Sequence, residues 1–149
     1  VEKVIEADKK QFKNCRIGYV SENGEYKDIF CKFVRFEFKS EILSVVDFIL
    51  AKKIPLESVI AQYGYPDKVV TFSTSLPDYP FVGRLQVCYD DQHMKLELEG
   101  KEGGSYKLTP STNIESLYYL DEEEYIDSCV TLEDLVPWNG YTDYTVELY

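Results

Sequence analysis

The period of the apolar positions changes several times along the chain, and each change marks a boundary between elements. Leu56, Val59, Ile60 and Tyr63 stand at i, i+3, i+4 and i+7, the stripe that one face of a helix presents. Pro55 suits the first turn of that helix, Gly64 supplies a left-handed terminator, and Pro66 prevents the helix from resuming. The chain then enters a strand over Val69 to Ser73. Leu85, Val87 and Tyr89 alternate with Gln86 and Cys88, and beyond Asp90-Asp91-Gln92 the residues Met94, Leu96 and Leu98 alternate with Lys95, Glu97 and Glu99. That pattern predicts an antiparallel hairpin with one apolar face.

Upstream, Arg16 to Phe38 reads as two strands around Glu22-Asn23-Gly24, and Phe30 to Phe38 has strand alternation with partial burial on both faces. Ser40 is a good N-cap, and Ile42, Val45, Val46, Ile49 and Leu50 recur at helical spacing as far as Lys52 and Lys53, so a helix is predicted there. Val4, Ile5 and Phe12, with charges between them, fit a short amphipathic helix over the first dozen residues. Leu76 to Pro80 is a Pro-containing loop, the glycines at 100, 103 and 104 make another, and Leu117 to Leu120 is a further strand. An acidic helix or loop and an aromatic closing segment follow.

These elements predict an α+β fold with helices packed on an antiparallel β-sheet, arranged as two related lobes. Residues 1–39 would form a partial N-terminal lobe of helix plus hairpin. Residues 40–149 would form the main lobe of two helices, sheet and aromatic tail. A chain of 149 residues is long enough to bury a core without a metal.

The four cysteines, Cys15, Cys31, Cys88 and Cys129, have no C-x-x-C spacing, which argues against a zinc site and leaves three disulfide connectivities. Turn chemistry discriminates among them. A three-residue loop with Gly24 left-handed sets Ser21 opposite Glu25, so that paired residue numbers sum to 46 and Cys15 faces Cys31. A two-residue turn would shift the sum to 47 and separate them by one position. With Cys15 and Cys31 joined, Cys88 pairs with Cys129, and both bonds imply an oxidising, extracytoplasmic setting. The alternative is four buried thiols in a cytosolic protein.

Acidic residues outnumber basic ones by 27 to 16, a field that repels phosphate backbones and argues against nucleic-acid binding. No apolar run is long enough to span a bilayer, so membrane contact is expected only through an unseen anchor upstream of Val1; a start at Val1 rather than Met suggests that something upstream was removed. No P-loop, dinucleotide glycine pattern, nucleophile elbow or H-E-x-x-H motif is present, and no catalytic, cofactor or metal residues are assigned. The single histidine, His93, reads as a solvated turn residue. The acidic run from Asp121 to Asp134 lacks the spacing of a calcium loop and reads as a solvated face. Aromatic residues set among Pro and Gly, namely Tyr79, Phe81, Trp138, Tyr141 and Tyr144, are the candidate binding residues.

The apolar helix ending in Gly-x-Pro, carried by Val59, Ile60, Tyr63, Gly64 and Pro66, followed by Val69 and the hairpin over 85–100, resembles small bacterial lipoprotein ectodomains of the SmpA/BamE type and the related β-lactamase-inhibitor-protein-like fold. The chain also resembles uncharacterised bacterial lipoproteins with a V-I-x-x-Y-G-x-P-D-x-V segment and a W-x-G-Y tail, here Trp138, Gly140 and Tyr141. The resemblance implies scaffolding or protein binding through a sheet face or loops, although the lipobox cysteine of that class is missing. The function expected is therefore a non-enzymatic extracytoplasmic module that binds a protein partner, one with a basic surface given the acidic charge. The alternative is an intracellular acidic immunity or inhibitor-like protein that blocks a basic partner.

Overall fold

The computed structural model describes residues 15–74, 82–102, 105–132 and 135–146. The helix expected over the first dozen residues, the loop at Leu76 to Pro80 with Tyr79, and Phe81 lie outside them. Four strands, β1 (Cys15–Val20), β2 (Tyr26–Cys31), β3 (Val34–Lys39) and β4 (Ile42–Pro55), form a meander. A short helix, α1 (Leu56–Tyr63), leads to a second meander of β5 (Lys68–Thr74), β6 (Val82–Tyr89) and β7 (Met94–Leu98). The two-residue β8 (Lys101–Glu102) pairs with β6, and β9 (Ser105–Lys107) starts a separate small sheet.

Strand β10 (Asn113–Leu120) then inserts between β4 and β7 and joins both meanders into one antiparallel sheet. Helix α2 (Glu122–Cys129) follows, then β11 (Leu135–Pro137) at the edge of β5, and β12 (Asp143–Thr145) against β9. The resulting order in the ten-stranded sheet is β1-β2-β3-β4-β10-β7-β6-β5-β11, with β8 off that path. This corrects the α+β expectation: the protein is mostly antiparallel sheet, and the described residues contain two short helices, one on each face.

The correction turns on residues 40–53, which form a turn and a strand rather than a helix. Ser40 and Glu41 have φ values of 46° and 67°, so they form a two-residue hairpin turn, and Lys39 sits opposite Ile42. Ser40 is thus the corner of a hairpin and caps nothing. Apolar residues at helical spacing in this segment fall on both faces of a strand that is sandwiched between β3 and β10. Its β-branched residues Ile42, Val45, Val46, Ile49 and Ile54 favour that outcome. The single strand expected over 30–38 is likewise divided, by a turn at Lys32-Phe33 that puts Cys31 opposite Val34. The boundary at 39/40 between the two expected lobes falls within the β3–β4 hairpin, so both segments contribute neighbouring strands to one sheet.

Helix α1 has the predicted limits but an unexpected start. Pro55 is its N-cap and the last residue of β4, so strand runs into helix without a loop. No side chain caps it; instead the amides of Leu56 and Glu57 donate to the carbonyls of Thr112 and Pro110 at 2.8 and 3.1 Å. At its other end Gly64 has φ 86° and ψ −172°, a region that only glycine occupies readily, and its amide donates to the Ile60 carbonyl.

Cross-strand register shows which residues share a face. The row Cys31, Val34, Phe48, Leu117, Leu96, Val87, Val69, Val136 crosses eight strands, and its C-terminal portion is the main core, covered by Leu56 and Val59 of α1 and by Tyr106, Leu108, Tyr144 and Val146 around the small sheet. The adjacent row, Phe30, Arg35, Asp47, Tyr118, Lys95, Cys88, Lys68, faces the other way. Tyr125 and Cys129 of α2 cover that face where Val45, Val70, Cys88 and Leu120 meet.

Both disulfides are present. Cys15 joins Cys31 across directly opposed positions of β1 and β2, and Cys88 joins Cys129, tying β6 to α2. The first pairing comes about by a route different from the one expected. Ser21 faces Tyr26, with its amide donating to the Tyr26 carbonyl at 2.9 Å, so the turn holds four residues and its strands begin in the register that sums to 47. An irregularity between Ile17 and Val20 restores the sum of 46 at Ile17–Ile29, Arg16–Phe30 and Cys15–Cys31. Buried Asp28 accepts the amide hydrogen of Tyr19 there, and a Cβ on Gly18 would lie 2.4 Å from that carboxylate and 2.5 Å from the Phe30 ring. Only glycine leaves room for this bulge.

Candidate functional site

The break at Gly64 to Pro66 does more than end a helix. It turns Tyr65 outward, 69 % exposed, while Pro66 is buried and the Asp67 amide donates to the Cys88 carbonyl at 2.9 Å to start β5. Beside it β11 ends at Pro137, and the Trp138 amide donates to the Asp67 carbonyl at 3.0 Å. This brings two segments some seventy residues apart in sequence to one corner of the molecule. The Tyr65 and Trp138 rings stack with centroids 6.4 Å apart, and Tyr141 meets the Trp138 ring edge-on at 5.8 Å.

The corner is held from below. Tyr144 is buried in the main core; its hydroxyl donates to the Gly140 carbonyl at 3.1 Å and accepts from the Asn139 amide at 3.2 Å. Gly140, at φ 77°, makes the reversal. Tyr63 packs edge-on against buried Tyr89, whose hydroxyl donates to the Gly64 carbonyl at 3.3 Å. The sequence-predicted residues therefore divide: Trp138 and Tyr141 reach the surface together, and Tyr144 supports them from within. Sequence reasoning missed Tyr65 as a site residue. The signal was present, since an aromatic side chain between a helix-ending Gly and a Pro has no regular element to bury it.

An open groove of about 540 Å³ lies next to this array, lined by residues of β11, β12 and the loop between them, with Thr71 of β5. Its polar groups are Asn139, Thr142, Asp143 and Thr145. Burial raises the Tyr141 phenol above its ordinary value, and the carboxylate of Glu57 adds to that. Asp67, next to the corner, accepts from the Asp90 amide at 2.8 Å.

The polar sheet face carries a second constellation that sequence reasoning did not find, because its members come from strands far apart in the chain. Arg35 pairs with Glu37 at 2.8 Å and Asp47 at 3.3 Å, and Lys95 stands 4.9 Å over the Tyr118 ring. The Tyr118 hydroxyl donates to Glu97, which also accepts from Arg84 at 2.9 Å. Burial raises the Asp47 carboxyl above its ordinary value, partly opposed by Arg35, and burial lowers Lys95. Cation and carboxylate answer each other along this ladder.

His93 occupies the tight turn before β7 with φ 45°, stacked on Tyr125 at 4.9 Å. Nearby Asp90 accepts from Lys68 at 2.7 Å and from the Tyr125 hydroxyl. Burial acts to raise the Asp90 carboxyl, but these two donors outweigh it and hold it below its ordinary value. In the acidic segment, Asp121 caps α2 by accepting the Glu124 amide at 2.9 Å, and Glu122 to Glu124 fill the first turn, where the helix dipole favours them. Glu133 and Asp134 lie outside the described residues. Among the described residues no group of three or more His, Cys, Asp or Glu side chains converges as a metal would require. Set against known protein families, curated proteins and solved structures, the chain matches none.

Proposed function

We propose that this chain is a non-enzymatic, extracytoplasmic binding module that holds a protein partner against the platform of Tyr65, Trp138 and Tyr141. The observation that carries this reading is the platform itself. Three aromatic rings share one surface corner, on backbone fixed by two positive-φ glycines and by the Trp138 to Asp67 hydrogen bond. Aromatic side chains with few rotatable bonds, fixed before contact, lose little entropy on binding and make effective anchors. The two disulfides are compatible with an oxidising compartment. A net charge of −11 favours a partner with a basic surface through faster association.

The test is site-specific photocrosslinking in the native host. A photoreactive phenylalanine analogue at Tyr65 is expected to give a discrete adduct, whereas the same analogue at Tyr19, exposed on the far edge strand, gives none. Equal labelling from both positions, or none from either, would overturn the reading.

A further inference from the structure

The groove beside the platform narrows the choice of partner. It runs between β11 and β12, two short strands that do not pair with each other. Strand addition is one way to fill such a gap, but β11 is poorly suited to it. The Trp138 amide points inward to β5, so the preceding residue presents its nitrogen outward, and that residue is Pro137, which has no hydrogen to donate. A ligand that depends on a ladder of backbone hydrogen bonds loses a donor at the C-terminal end of the edge.

A polyproline II segment needs no ladder. It offers carbonyl acceptors and pyrrolidine rings, and it docks in grooves walled by aromatic side chains that supply isolated donors. Trp138, Asn139 and Thr142 line the groove beside the platform. Charge completes the description. Asp143 lines the groove opposite Lys107 of β9, Glu57 acts on Tyr141, and Asp67 flanks the corner, while Lys68 is paired with Asp90 at 2.7 Å. A ligand here meets carboxylates.

We infer that the groove between β11 and β12 takes a proline-containing segment with basic flanks, in extended polyproline II form, with its rings against Trp138 and Tyr65. The inference rests on the proposed function above and specifies the ligand class of that same site.

The protein carries its own probe, since Trp138 is the only tryptophan. Its emission is followed on titration with the peptide Arg-Pro-Pro-Ala-Pro-Pro-Arg. One control peptide has every proline replaced by glycine, and a second has the arginines replaced by glutamate. The expected result is a saturable change with the first peptide only, weakened as salt rises. Tyr65→Ala is expected to weaken binding by about tenfold and Asp143→Asn by about threefold, with the salt dependence reduced. Equal response to the glycine peptide would show charge attraction alone and overturn the inference, as would equal response to the glutamate peptide. A change driven by protein concentration without peptide would identify a second copy of the chain as occupant and also overturn it. A silent titration combined with a Tyr65 crosslink in the host rejects this ligand class and leaves the binding module standing; silence in both rejects the two together.

Discussion

The two halves of the sheet are stabilised by different means. Around β5, β6, β7 and β10 the strands are covered by α1 and the small sheet, and Leu56, Val69, Leu85, Val87, Met94, Leu96 and Leu98 are fully enclosed in a large cluster. In the β1 to β4 meander the corresponding cluster of buried residues is Ile29, Cys31 and Phe38. Strand β1 is exposed along nearly its whole length, with Ile17 at 60 % and Tyr19 at 57 %. Hydrophobic burial holds the C-terminal half, and local devices hold the outer N-terminal strands. Those devices are the Cys15–Cys31 bond, the Gly18 bulge, and Phe30 lying about 6 Å from both Arg16 and Arg35. The aromatic corner of Tyr65, Trp138 and Tyr141 sits on the better-buried half, where its geometry is least exposed to fraying.

Removing each disulfide in turn sharpens this contrast most. Replacing Cys88 and Cys129 by alanine opens a closure of 41 residues between sheet and helix, worth about 4 kcal/mol by the loop-entropy argument, and is expected to lower the global melting transition. Replacing Cys15 and Cys31 opens one of 16 residues, for which the same argument sets about 3 kcal/mol. Because β1 has one neighbour and little core, the loss should appear as local fraying rather than global unfolding. Hydrogen exchange is the deciding measurement. Protection should vanish from β1 and the adjoining edge of β2 while β6, β7 and β10 keep theirs, and uniform loss would show that the two halves unfold as one.

A smaller effect is expected from Gly18→Val. The added side chain collides with Asp28 and Phe30, so the bulge cannot form and β1 keeps the register of its turn. Cys15 is then displaced from Cys31. The measurable outcome is slower or incomplete formation of this one disulfide on oxidative refolding, read by peptide mapping, with Cys88–Cys129 forming normally.

Least in size, but most specific, is the behaviour of Asp47 at the seam between the halves. Burial raises its folded-state value above the unfolded one, so the folded chain keeps this proton to higher pH. Its contribution to stability is fully present below the ordinary carboxylate value of about 4 and is lost as pH rises through the raised value. Asp47→Asn removes that dependence. The melting temperature of the variant should therefore improve relative to the wild type as pH rises above about 4. Asp90 and Glu99, held below their ordinary values, act in the opposite sense and lose their contribution on acidification, in both proteins alike.

Much of the second half was legible because its signals are local. The i, i+3, i+4, i+7 stripe of α1, the Gly64 to Pro66 break and the alternation through β6 and β7 each specify structure within one window of sequence. The β4 segment misled because its apolar residues stand on both faces of the strand, which removes any clean alternation, and its valines and isoleucines happened to fall at helical intervals. Ser40 added to the error, since it is as good a helix cap as it is a turn residue once a hairpin forces positive φ upon it. The Cys15–Cys31 pairing was reached from a three-residue loop, whereas the molecule reaches it through a longer loop and a compensating bulge. Trp138 and Tyr141 stand out in the sequence as aromatics set among Pro and Gly, but nothing near them in sequence points to Tyr65.

The sequence by itself determined the helix at Leu56 to Tyr63, the hairpin around Asp90, the aromatic wealth of the tail and the acidic charge. These are properties of short windows and of composition, set by side-chain period, backbone restriction and ionisation. Tertiary structure alone decided that β10 enters between β4 and β7 and that Tyr65 meets Trp138. Each of these joins residues far apart in the chain, and their closure depends on the free energy of the whole buried sheet rather than on the preference of any segment within it.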